Sequence, residues 1–371
     1  MAKAFGIVNA SGRNIWVEGL ETYRTIGAFS FLGRYRIIDF PISNMSNSGI
    51  DRIQVYIRRK PRSLTEHLGT GQHYNINSKR GQLQILFSEN KTENDIYNTD
   101  ISAFEENLSI IQRMHYPYVV IAPSYMIYSM DFSQLLETHI DSGADITLLY
   151  HPVDNAREHY LNCQHLNLNR QKGVLSIDTN RGNAKNRNIF MDTYVMKTEL
   201  FIDLVEHAHS MSSMFTLSDI VSRSCNDYDI RGVAHRGYFS AVIDFRSFYR
   251  SNMALIDFKN TENLFKEDWP IYTRTHDSCP THYFETADVK SSVISNGCQI
   301  EGTVENSIIG RGCIIGKGAV IKNSIVLPEV EIGPNVKLDY VVVDKHAKIV
   351  HENEIICTKE ELGYVRREDR R

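Results

Sequence analysis

Ile308–Ile349 reads IIGRGCIIGKGAVIKNSIVLPEVEIGPNVKLDYVVVDKHAKI, and its texture decides the fold of the C-terminal part of the chain. Aliphatic residues return every six positions at Ile309, Ile315, Ile321 and Leu327. Gly or a polar residue follows the first three. A slip of one residue over 328–332 precedes a second run at Ile332, Leu338, Val343 and Ile349. Such hexapeptide repeats build a left-handed parallel β-helix, in which each aliphatic side chain fills the inside of a short strand and the small or polar residue takes the turn. The pattern begins near Ala287, and residues 284–371 are assigned to this coil.

Working back from the repeats, residues 252–283 divide into a helix over 252–265 and an irregular, Pro-containing linker over 268–282. Residues 1–251 have a different rhythm. Short apolar runs at 4–9, 53–57, 118–122 and 146–150 alternate with helix-like stretches at 101–114 and 132–141. Strands alternating with helices predict an α/β domain, Rossmann-like, around a mainly parallel sheet. A chain of 371 residues accommodates two cores.

Composition excludes several classes. A formal net charge of -4 without long basic runs gives no footprint for nucleic acid. The densest basic clusters are Arg58, Arg59, Lys60 and Arg62, and Arg366, Arg367, Arg370 and Arg371. Both read first as solvated faces or a frayed tail, with anion binding as the second reading of the former. The six cysteines form no CxxC pair, so no zinc or redox motif is present and reduced thiols are expected. The N-terminal apolar stretch is too short for a signal peptide or a membrane span, which predicts a cytoplasmic protein without membrane contact.

Tyr35–Ile50, YRIIDFPISNMSNSGI, closely resembles the stretch YRIIDFPLSNCxNSGI of the ADP-glucose pyrophosphorylases, and similarity continues at 63–67, 128–133, 237–238 and 252–255 and into the repeats. The resemblance implies a nucleotidyltransferase domain that joins glucose 1-phosphate to the α-phosphorus of ATP and releases pyrophosphate. Such chemistry rests on Mg²⁺ held by carboxylates and on cations aimed at the phosphates.

Carried over residue by residue, those parts are missing. The family's GGxGxRL loop matches SGRNIWV at 11–17, with Trp16 where the Arg belongs. Ile26 replaces the Lys of KPA. The metal Asp of SGDHIY falls on Tyr125, and that of GYWKDVGT falls on Ala241 with Ser240 beside it. The GTADA segment matches TDISA at 99–103, and the sugar-phosphate Lys falls near Asn180. The resemblance therefore implies no catalytic residues, no metal site and no cofactor. Losing a metal and a main phosphate cation each costs about 10²-fold or more in rate. This pattern of losses resembles the non-catalytic, regulatory subunit of the family. It implies a partner, the catalytic ADP-glucose pyrophosphorylase subunit, in a heterotetramer, with a homodimer when alone left open. Small anionic effectors are the second expected partner.

Arg36 matches a family arginine that contacts anionic effectors near the domain junction, the alternative being an ion pair with Asp39 or a coil carboxylate. Arg58, Arg59 and Lys60 join it as anion-binding candidates. Asp219 reads either as a remnant of the sugar pocket or as a helix cap. His67 reads as a packed histidine, and His115, His139 and His151 lack partners in the sequence. Tyr125, Trp16 and Met126 are expected to fill the old cleft. Asp100 and Asp244 are the carboxylates that a relocated active site would recruit. An acyltransferase on the coil would need a groove histidine, for which only His346 and His351 stand in or just beyond the repeats.

Overall fold

The computed structural model describes residues 3–9, 15–77, 79, 81–87, 99–212 and 214–371. The first elements are β1 (Ala4–Asn9), the short β2 (Ser30–Phe31) and β3 (Tyr35–Arg36), α1 (Asp39–Asn47), β4 (Arg52–Ile57), α2 (Arg62–Leu68) and β5 (Gln82–Phe87). There follow α3 (Asp100–Glu106), α4 (Leu108–Arg113), β6 (Tyr118–Pro123), β7 (Met126–Tyr128), α5 (Phe132–Ser142), β8 (Ile146–Val153), β9 (Gln164–Leu168), β10 (Val174–Thr179) and β11 (Arg187–Lys197). The α/β part ends with α6 (Thr198–Met211), α7 (Leu217–Arg223), β12 (Ile230–Ala234), β13 (Phe239–Ala241), α8 (Phe245–Met253) and α9 (Phe258–Leu264).

Among the described residues, nine strands form one sheet whose main path is β10-β9-β11-β6-β1-β4-β5, with β8 between β11 and β12. The half from β6 to β5 is parallel, and its strands β6, β1 and β4 bury apolar residues on both faces while β5 is a partly exposed edge. The other half is mixed rather than parallel, because β11 runs antiparallel to β6, β8 and β9. A connection of only five residues joins β9 to β10, too short for a parallel crossover, so that pair is a hairpin.

Two expected helices are broken. The stretch 101–114 is interrupted at Asn107, whose amide donates to the Ala103 carbonyl at 2.9 Å. The helix expected over 252–265 is the end of α8, a 3-10 turn and α9, divided at Asp257, which leaves helical angles and caps α9 by accepting from Lys259 N at 3.1 Å.

From His282 onward the chain forms a left-handed β-helix of three parallel five-stranded sheets. Three stacks fill its interior: Ile300–Ile315–Ile332–Ile349, Val304–Ile321–Leu338–Ile355, and Ile294–Ile309–Val326–Val343–Val365. Each fully buried Ile or Val contributes roughly 1.5–3 kcal/mol. The slip lies one step earlier than the sequence suggests. Val326, not Leu327, stacks on Ile309, and the five-residue step recurs between Leu338 and Val343. Leu327 is buried instead toward the α/β part.

The third coil sheet docks on that part. Its outward Ile308, Ile325 and Val342 belong to the same buried cluster as Phe29, Phe248 and Tyr249. Tyr249 donates to the Asn323 carbonyl at 2.6 Å. Gly33, at φ +67°, lies where a Cβ would sit 2.9 Å from the Ile309 carbonyl, so the junction requires a glycine there. The C-terminal arginines are not frayed. Arg371 N donates to the Lys348 carbonyl at 2.8 Å, and Arg367 lies over the Tyr23 ring at 5.6 Å. Among the described residues, no helix is long and apolar enough to cross a membrane.

Candidate functional site

The parallel strands deliver Asn9, Arg58 and Ser124 to their carboxyl ends, where open α/β sheets bind ligands. Beside them, β7 and β13 form a two-stranded antiparallel ladder that pairs Met126 with Ala241, and Val242 N donates to the Tyr125 carbonyl at 2.9 Å. Tyr125 and Ala241, taken from two distant motifs, thus become neighbours. Ala241 is buried, and Tyr125 is 9% exposed with its hydroxyl donating to Asp192 Oδ2 at 3.2 Å. Met126 and Ile26 are also buried in this core. Trp16 departs from the expectation. It is 56% exposed, and the Lys60 ammonium sits 5.7 Å from its ring centre, so it packs on the rim instead of filling the cleft. The segment 10–14, with Gly12 and Asn14, lies outside the described residues.

Asp192 is a cleft residue that sequence reasoning missed. It sits at a bulge in β11 with φ +48° and accepts a second bond, from Tyr194 OH at 3.0 Å. The available signal was an acidic residue inside the apolar run 189–196. Asp100, the first residue of α3, accepts from Asn9 Nδ2 (3.2 Å), Ile101 N (2.9 Å) and Leu217 N (3.1 Å). Burial pushes its carboxyl up to about 6; Arg58 opposes this and Asp192 adds to it. The same burial lowers Arg58 to about 10, with Asp100 opposing. Asp244 is occupied elsewhere, in a capping box with Ser247 at the start of α8. Among the described residues, no three carboxylate, imidazole or thiol groups converge to hold a metal ion.

The other positions matched through the resemblance have structural contacts. Asn180 is buried, and its amide donates to the carbonyls of Ala156, His159 and Tyr160, pinning that loop. Ser240 shares a 2.5 Å hydrogen bond with Ser251, and Thr99 caps α3. Asp219 forms a capping box with Thr216 at the start of α7.

The basic candidates divide. Arg58, Arg59 and Lys60 follow β4 at the cleft, whereas Arg36 lines a cavity of about 290 Å³ at the junction with the coil, together with Arg34, Arg311, Lys345, His276 and His346. Among the described residues, Arg36 makes no carboxylate pair. Its guanidinium donates to the Ser63 carbonyl (2.7 Å) and hydroxyl (2.9 Å), while only its backbone N–H reaches Asp39 (2.8 Å). Asp39 is taken instead by His67 and Tyr74, each at 2.6 Å. Glu329, the one acid in the cavity wall, is engaged by His346 at 3.0 Å. Burial, with Arg36 and Arg24 acting the same way and Asp344 opposing, pushes the Lys345 ammonium down to about 7. His67 is buried as expected, but His151 does have a partner, His235, with the two Nδ1 atoms 3.3 Å apart.

Comparison with known proteins places this geometry. Residues 22–255 match the nucleotidyl transferase family, and residues 281–366 match the GlmU-like C-terminal hexapeptide family. The glycogen biosynthesis protein GlgD of Geobacillus stearothermophilus is 32% identical over 83% of this chain and 80% of its own. GlgD of Bacillus subtilis is 29% identical over 96% of this chain and 93% of its own. The glucose-1-phosphate adenylyltransferase of Fervidobacterium nodosum is 29% identical over 94% of this chain and 84% of its own. With its α/β sheet and hexapeptide coil, the chain belongs to the nucleotidyl transferase family and stands among the relatives of glucose-1-phosphate adenylyltransferase and GlgD.

Proposed function

We propose that this chain is a regulatory, catalytically deficient subunit of a bacterial ADP-glucose pyrophosphorylase, acting in glycogen biosynthesis in the cytoplasm beside a catalytic subunit. One observation carries the reading. The two positions that match the family's metal carboxylates are neighbours on one ladder, and both are filled by residues without a carboxylate, Tyr125 and Ala241. A nucleotidyltransferase that cannot hold Mg²⁺ at the reacting phosphates lacks a term worth several kcal/mol of transition-state stabilisation.

The regulatory half of the proposal rests on the junction cavity. Arg34, Arg36, Arg311 and Lys345 come from both parts of the chain and converge with one acid among them, an arrangement that favours a phosphorylated or other anionic effector. Such a ligand would bind the two parts together. The second reading, weak adenylyltransferase activity of its own, is favoured by Asp100 and Asp192, which remain in the cleft. Both accept hydrogen bonds from the protein, and burial favours the neutral form of Asp100.

Mg²⁺-dependent pyrophosphate release from ATP and glucose 1-phosphate separates the readings. The protein alone, the catalytic subunit alone and their mixture are compared. Silence alone with increased or effector-shifted activity in the mixture is expected; robust turnover by this chain alone would overturn the proposal.

A further inference from the structure

At the end of the sheet opposite the cleft, the first residues of β4 and β5, the residue before β1 and the end of α4 surround a groove of about 620 Å³. Lys3, Arg52, Arg113 and His115 stand around it, with Gln82 and Gln84. Arg52 and Gln82 are register neighbours on adjacent strands, and Gln54 Nε2 lies 3.8 Å from Met114 Sδ, tying the sheet to the segment after α4. The strands are six residues long, which puts this groove roughly 20 Å from the cleft.

Among the described residues its charge is uncompensated: no carboxylate lines the groove, and the side chains of Lys3, Arg52 and Arg113 make no ion pair or hydrogen bond. Cations on the exposed coil are treated differently: Lys290, Lys322, Lys337 and Lys348 each meet an Asp or Glu within 3.0 Å. Three permanent cations around a concavity focus a positive potential that raises the local concentration of anions. Arginine forks match phosphate oxygens, and the glutamine amides add neutral donors. The volume exceeds what a single orthophosphate fills, and the cations come from three separate segments.

We propose that this groove binds a small polyanion bearing two or more phosphates, at a site distinct from both the cleft and the junction cavity. The assignment stands independently of the regulatory reading. An acidic face of a partner protein is the competing occupant, and the concave shape favours the small ligand.

The test is calorimetric titration of the full chain with inorganic pyrophosphate, tripolyphosphate and orthophosphate at constant ionic strength. Three proteins are compared: wild type, Arg52→Ala/Arg113→Ala, and Arg36→Ala/Lys345→Ala as the junction control. The groove variant is expected to lose one class of polyphosphate site, with at least about tenfold weaker binding from two lost charge-assisted contacts. Its melting temperature should be unchanged, and the junction variant should keep that class. Equal pyrophosphate binding by wild type and the groove variant overturns the proposal. So does a wild type that binds no polyphosphate, including the case in which Arg52→Glu/Arg113→Glu weakens association with the catalytic subunit and assigns the groove to a protein partner.

Discussion

Replacing Asp344 by Asn tests what fastens the coil to the α/β part. Asp344 is fully buried in the coil, Arg24 of the α/β part is 2% exposed, and one guanidinium nitrogen reaches both carboxylate oxygens. Asp344 also accepts from Tyr364 OH at 2.9 Å and Lys345 N at 2.7 Å. The other two nitrogens of Arg24 find no partner among the described residues, so this carboxylate supplies its ion pair. Removing one member of a buried pair leaves an uncompensated charge and costs about 3–5 kcal/mol. For domains of this size, about 2–4 °C of melting temperature follows each kcal/mol, so a fall of roughly 6–20 °C is expected. Asn keeps the shape, so packing loss contributes little. Differential scanning calorimetry of Asp344→Asn, Arg24→Met and the Arg24→Met/Asp344→Leu double variant makes the comparison. The double variant should lose clearly less than the two single losses together, because neither charge is then stranded. A single Asp344→Asn change within about 0.5 kcal/mol of wild type, the range of neutral surface substitutions, would refute the reasoning.

Three further outcomes follow from the same geometry. At Gly310 a Cβ would lie 2.6 Å from Pro328 N and 2.8 Å from Leu327 C, both backbone atoms of the next coil, so Gly310→Ala should destabilise by about 1–3 kcal/mol in urea unfolding. Sulfate, whose charge is constant near neutrality, should bind the junction cavity about 3- to 10-fold more weakly as pH rises through the Lys345 value near 7, and Lys345→Arg should weaken that dependence in calorimetric titrations. Asp39 is pushed up by burial but held below the ordinary carboxylate range by His67, Tyr74 and Arg36 N. Its contribution is therefore complete above that ordinary range and lost as pH falls through the depressed value; His67→Gln should move the acid-unfolding midpoint to higher pH, followed by circular dichroism.

The coil was legible because its rule is local: an inward aliphatic every six residues needs no knowledge of distant neighbours. Its phase error had an equally local cause. Val326 and Leu327 are adjacent and both buried, and only the stack above Ile309 shows which one turns inward. The parallel half of the sheet was visible in alternating strands and helices, whereas the antiparallel strand β11 depends on partners that no single segment encodes. At the cleft, the family resemblance points to Tyr125 and Ala241, which the fold makes neighbours, but not to Asp192, which enters through a bulge. Trp16 differs from the sequence expectation for a related reason. Side-chain size predicts filling, but direction depends on Lys60 and the rim. The junction cavity was legible only through Arg36; Arg311 and Lys345 look like ordinary polar turn residues until the coil brings them back to the α/β part.

The two sites differ in what stability alone would produce. Burying Tyr125, Met126, Ala241 and Ile26 adds apolar contacts, so packing alone accounts for these four positions. The junction runs the other way. Crowding Arg36 and Lys345 near Arg24 in partly dry surroundings, with Asp344 already shared and Glu329 engaged by His346, costs free energy through like-charge repulsion and desolvation. Apolar residues at those positions would remove that cost. Charge kept at a price in stability, in a cavity that both parts of the chain complete, is what an anion sensor needs, and a purely structural partner would have no use for it. The contrast favours the proposed regulatory role over simple scaffolding, because an anion bound in this cavity would act where the coil and the α/β part fit together.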